Sequence, residues 1–343
     1  MLIRPIDKLL GLVGAVNLAA GCGSGSAQPS DAGAMDAPAP DPRFTIFPAS
    51  AGTNGPWMIA AGPDGNLWFT QHSDVSGNPG RIGRVSLSGE ITLFDLPDGS
   101  LPQGITAGPD GALWFADLAG QTVGRMTTDG MLTQFPLAAP GYPQFIVTGP
   151  DGNLWITVST TTDTSQPMGN IQRMTVTGEA TLFPLDTAPS EIAAGPDGNI
   201  WYVAWYHSAI GQITPAGSVQ EFPLPAPSFP HGLVAGPDGN IWIAESTGVG
   251  RMTTTGAHSL FEYPASPRVQ FGRANEYGQI TVAGGTLWFI DDTAKSLAWS
   301  TGDGNINEVP FPDGVNPVGI AVASDGSVWS TDPVKNTVVR FRP

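Results

Sequence analysis

From residue 44 onward the chain alternates short apolar runs with turns rich in Gly, Pro and Asp. The first full cycle sets the pattern. An apolar run, Ile59–Ala61, leads to Pro63-Asp64-Gly65. Pro presets φ, Asp bonds its own backbone and Gly supplies a positive φ, so these three predict a tight turn. Leu67-Trp68-Phe69 then reads as a second strand, Ile82–Val85 (IGRV) as a third and Ile91–Leu96 (ITLFDL) as a fourth. GPDGNLWFT at Gly62 returns as GPDGALWFA, GPDGNLWIT, GPDGNIWYV and GPDGNIWIA. Two degenerate copies follow, AGGTLWFID and ASDGSVWST. Their tryptophans, Trp68, Trp114, Trp155, Trp201, Trp242, Trp288 and Trp329, are spaced 46, 41, 46, 41, 46 and 41 residues apart. Four short strands repeated seven times predict an all-β chain, a seven-bladed β-propeller of four-stranded blades.

The last repeat stops after its third strand, at Val338–Arg342, and the missing fourth strand stands at the other end of the chain. Phe44-Thr45-Ile46-Phe47-Pro48 matches Leu132-Thr133-Gln134-Phe135-Pro136. The N-terminal strand is therefore expected to complete the last blade and remove two exposed edges. Seven Trp at one blade position are expected to pack between blades, and the PDG acids to serve their turns.

Composition agrees: 45 Gly and 33 Pro with only 13% charged residues suit short strands joined by turns. The net charge of −16 argues against nucleic acid or anionic lipid as partners. The single cysteine, Cys22, allows no intrachain disulfide. It follows Arg4, Lys8, an apolar stretch from Leu9 to Ala20, and the small residues Ala19, Ala20 and Gly21, so residues 1–21 resemble a bacterial lipoprotein signal. Acylation of Cys22 would tether the protein at the cell envelope or outside the cell, touching membrane only through that anchor. Residues 22–43 read as a flexible linker and residues 44–343 as the propeller, expected to be a monomer.

In each blade, the start of the first strand and the end of the second are expected at one face, near the central channel. Centring each hairpin on its turn Asp predicts the opposed pairs Trp57–Gln71, Gln103–Asp117, Gln144–Val158, Ser190–Ala204, His231–Glu245 and Val318–Asp332, with Gly278 near Asp291. The fifth blade alone pairs an imidazole with a carboxylate. That pair suits general-base chemistry, and Glu245 suits a hard cation such as Mg2+; a rim hydrogen bond is the plain alternative. His72, Trp205, Tyr206, His207, Arg273 and Tyr277 are expected at the same mouth, where a small-molecule or peptide ligand would bind.

The repeats GPDGNLWFT and PHGLVAGPDGNIWIAE, followed by IGRV-like strands, resemble the virginiamycin B lyase (streptogramin lyase) family over about residues 44–343. The resemblance implies linearisation of a cyclic depsipeptide antibiotic without water. A His base removes an α-proton while Mg2+ polarises the ester carbonyl, so that the ester's alkoxy oxygen leaves. It implies His231 as the base and Glu245, 14 residues later, as metal ligand. The family has a second His where this chain has Ser190, and a carboxylate where it has Phe229. Two other functions stay open. One is a non-catalytic, surface-tethered propeller binding a protein, glycan or cell-wall component. The other is a lactone hydrolase, for which Asp117, Asp291 and Asp332 are candidate ligands.

Overall fold

The computed structural model of the chain describes residues 41–49, 55–73, 78–161, 168–226, 228–262, 279–291, 294–302 and 305–343. Cys22, the signal and most of the linker, and Arg273 and Tyr277, lie outside the described residues. No described helix is long and apolar enough to cross a membrane.

Seven antiparallel four-stranded sheets form the blades. Blade one runs Pro56–Ala61, Leu67–Gln71, Arg81–Val85 and Ile91–Asp95. Blade five runs Pro230–Ala235, Ile241–Glu245, Gly248–Met252 and His258–Glu262. The first strands of all seven blades line a central channel of about 520 Å3.

The hairpin between first and second strands is built by its motif. In blade one Gly65 bonds back to Gly62 with φ at 78°, and the Asp64 carboxylate accepts the indole N–H of Trp68 at 2.9 Å. A Cβ on Gly62 would lie 2.3 Å from the Trp68 ring, so only glycine lets the indole lie over the turn. The same bond joins Asp110 to Trp114, Asp151 to Trp155, Asp197 to Trp201 and Asp238 to Trp242. Burial pushes these five carboxyls up, but the indole, side-chain and backbone donors outweigh it and hold them below the usual carboxylate range.

Each indole then stacks on the fourth-strand phenylalanine of its own blade, as Trp68 does on Phe94 at 5.6 Å. It also packs toward the next blade: Trp68 clusters with Ile105, Leu113 and Phe115. The tryptophans therefore pack between blades, as the repeat predicts. Third-strand arginines tie neighbours together as well. Arg84 lies over the Trp68 and Phe94 rings and donates to Thr128 O of blade two.

Closure obeys the same rule. Phe44–Pro48 pairs antiparallel with Thr337–Phe341, Phe44 opposite Phe341 and Pro48 opposite Thr337. Phe47 stacks on Trp329 at 5.5 Å, and Arg340, over both rings, donates to Leu87 O of blade one. One side chain thus supplies the last blade with the ring its own sequence lacks. Phe47→Ala is expected to cost about 2 kcal/mol in urea unfolding, less than a fully buried Phe because Phe47 is half-buried. Deletion of residues 44–48, which bares the last blade's edge, should cost more. Parental unfolding midpoints for both would refute the closure.

Candidate active site at the fifth-blade hairpin

The inner strands carry a feature that the hairpin count does not reveal. In blades one, two, three and five a bulge follows a proline at the start of the first strand, its first residue in blades one, two and five and its second in blade three. The ladder pairs Pro56 with Gln71, Pro102 with Asp117, Pro143 with Val158 and Pro230 with Glu245. The expected pairs are each corrected by one residue, because the bulge absorbs an extra position. Trp57, Gln103, Gln144 and His231 occupy these bulges. Where a threonine ends the hairpin, its hydroxyl accepts a freed N–H: Thr70 from Met58, Thr157 from Phe145 and, in blade seven, Thr331 from Gly319.

His231 is half-buried in the blade-five bulge, next to the pairing of Pro230 with Glu245. Glu245 has no exposed side-chain surface. Ile241 and Ile243 share a cluster with Trp201 and Val203 of blade four, so strand alternation turns Glu245 toward blade four as well. Its Oε1 accepts a hydrogen bond from His258 Nε2 at 2.6 Å, and its Oε2 is buried without a hydrogen-bond partner.

The other expected residues divide. Ser190 donates its N–H to Val203 O. Trp205, Tyr206 and His207 form a single 3-10 turn after the second strand of blade four. Trp205 is partly exposed, meets Tyr206 edge-on at 5.0 Å and lies 6.5 Å from Phe229. His207 is drawn instead to the outer strand, its Nδ1 at 2.9 Å from Glu221 Oε2. Asp117, Asp291 and Asp332 do not converge on a ligand. Asp117 accepts the N–H groups of Leu101 and Gly120, Asp291 that of Ala294, and Asp332 those of Asn316, Val334 and Lys335. An aspartate at this position closes the loops around its own blade.

Residues 29–272 and 163–343 both match the family profile of virginiamycin B lyase. The chain belongs to the virginiamycin B lyase family. It is similar to a streptogramin B lyase structure at 28% identity, with a TM-score of 0.72 over 87% of this chain and 97% of that one. It is similar too to a catalytically inactive histidine-to-alanine variant of virginiamycin B lyase from Staphylococcus aureus with quinupristin. That match has 29% identity and a TM-score of 0.75 over 88% and 99% of the two chains. A putative gluconolactonase, 18% identical with a TM-score of 0.52, shares the fold alone. No curated protein sequence matches.

Within this lyase-family chain, the donor set for a cation lies in two places. The buried, unpartnered Oε2 of Glu245 is an acceptor that a divalent cation would satisfy, so the residue fits the Mg2+ expected there. A second group, Asp186, His207 and Glu221, brings three ligand atoms within 4.8 Å of one another at the surface. The Tyr202 hydroxyl also donates to Glu221 at 3.4 Å, and burial, with the Glu221 charge, pushes that phenol up.

Two residues of interest escape the hairpin argument. Glu191 is a buried carboxylate on the channel wall, at a position held elsewhere by Met58, Gly104, Phe145 and Gly232. His258 opens a fourth strand where the other blades have Ile91, Leu132, Ala180 and Val219. Both break the repeat, which is the signal that could have found them.

His72 packs against Trp57 at 4.9 Å, its Nε2 shielded from solvent, and burial pushes its pKa down to about 4. Its folded pKa is depressed, so between about 4 and 6.5 the unfolded chain binds a proton that the folded protein does not. Stability is therefore complete above about pH 6.5 and declines toward pH 4, by on the order of 2 kcal/mol. His72→Leu should flatten urea-unfolding stability across that window; parallel curves for the two proteins would contradict it.

Proposed function

We propose that this protein opens the ester ring of a cyclic depsipeptide of the streptogramin B type by elimination at the channel mouth beside blade five. The observation that carries this reading is the position of His231 in the bulge beside the pairing of Pro230 with Glu245, in a chain of the virginiamycin B lyase family. His231 takes a proton from a carbon α to a carbonyl onto an imidazole nitrogen. The electron pair left behind forms a C=C bond, the adjacent carbon–oxygen bond breaks, and the ester oxygen departs with the carboxylate. Glu245 presents its buried Oε2 as the acceptor for a divalent cation such as Mg2+. When bound, that cation supplies Lewis-acid polarisation of the ester carbonyl. Trp205, Tyr206 and Phe229 offer an apolar face for a ring-shaped peptide, with Ser190, and with Arg273 and Tyr277, which precede blade six in the sequence, as further contacts.

The test is the mass of the product. Elimination linearises the ring at unchanged mass, whereas hydrolysis adds one water. His231→Ala should lower kcat/KM at least 10²-fold, the usual scale for loss of a general base. Linearisation with added water, or an unaffected His231→Ala variant, would overturn the proposal.

A second reading is favoured by Ser190 and by the exposed Trp205: a non-catalytic binding propeller, tethered through an acylated Cys22. It predicts that the cyclic peptide, or a protein or glycan ligand, binds at the aromatic face and is recovered intact.

A further inference from the structure

Six of the seven blades obey a size rule across their second and third strands. Where the residue after the repeat Trp is aromatic, the residue opposite is small: Phe69 faces Gly83, Phe115 faces Gly124, Tyr202 faces Gly211 and Phe289 faces Ala298. The ring covers the glycine so closely that a Cβ there would lie 2.0–2.1 Å from it. Where the residue is smaller or unbranched in ring terms, the partner fills the space instead: Ile156 faces Gln172 and Ser330 faces Val339. Blade five breaks the rule. Ile243 faces Gly250, so neither side supplies bulk.

The vacant space holds two polar groups. A Cβ on Gly250 would lie 1.9 Å from Glu245 Oε1 and 2.8 Å from His258 Nε2. The glycine therefore makes room for the carboxylate and imidazole where other blades keep an aromatic ring. His258 itself stands where the other fourth strands carry an apolar residue, and only 10% of its side chain is exposed. Two departures from the repeat, His258 and Ile243 opposite Gly250, thus serve the same carboxylate.

We infer that His258 is a positioning residue for Glu245: its Nε2–H holds Oε1 so that Oε2 is presented in one orientation to a cation. The inference rests on the metal-ligand role given to Glu245 above. Isolated burial of a carboxylate is costly, and a charge-assisted bond at 2.6 Å offsets part of that cost and fixes the rotamer. Donors behind a metal-ligating group typically set its affinity by 10–100-fold.

Two measurements on the full-length protein separate this role from the metal itself. Nitrogen-edited NMR of His258 should show a slowly exchanging Nε2–H that disappears in Glu245→Ala; a solvent-exchanging Nε2 in the parent overturns the inference. Mn2+ binding followed by electron paramagnetic resonance should lose one site in Glu245→Gln. At that site His258→Ala should weaken binding roughly 10-fold or more, and His258→Gln, which retains a donor, should restore most of it. Unchanged Mn2+ affinity in His258→Ala also overturns the inference. If Glu245→Gln removes no Mn2+ site while the Nε2–H signature is present, His258 does hold the carboxylate and the metal role of Glu245 is what fails.

Discussion

The hydrogen bond from a tryptophan indole to the aspartate of the preceding turn is the constraint on which the ring depends. It ties the turn, the second strand and the stacking platform for the fourth strand into one unit in five blades. Blade seven substitutes a relay, in which the Trp329 indole donates to Ser327 and Ser327 to Asp325. An indole buried without an acceptor would leave its N–H unsatisfied, so packing and turn chemistry are selected together. Once each indole is fixed, its outer face meets the next blade, and the ring follows from repetition and from the borrowed N-terminal strand.

That rigidity is placed at the end of the hairpin away from the proposed site. The turn end is nearly uniform, whereas the opposite end, bulged in blades one, two, three and five, varies from blade to blade: Trp57, Gln103, Gln144, Ser190, His231 and Val318. Variation costs little at Trp57, Gln103, Gln144 and His231, since the bulge leaves them out of the regular ladder. At the ends of the second strands, Asp117, Asp291 and Asp332 are each engaged by backbone N–H groups of their own loops. Glu245, one methylene longer, reaches into the blade interior instead and meets His258.

The fold was legible because one repeat, seven times written, fixes strand order, turn type and closure together. The site was legible only in part. His231 and Glu245 stand out as repeat-breaking residues at the right hairpin end, but the bulge that shifts their register by one residue leaves no mark in the spacing of the turn Asp. His258 lies on a different strand, 13 residues after Glu245, and its meaning depends on the vacancy above Gly250. His207 reads as a mouth residue because it follows a second strand; the 3-10 turn at Trp205–His207 instead sends it to Glu221.

The central claim is that the repeat is broken in blade five for chemistry, with a cation presented by Glu245. Crystals soaked in Mn2+ and recorded for anomalous scattering test it most directly. The account predicts a peak beside Glu245 Oε2. A peak confined to Asp186, His207 and Glu221, with none at Glu245, would contradict it.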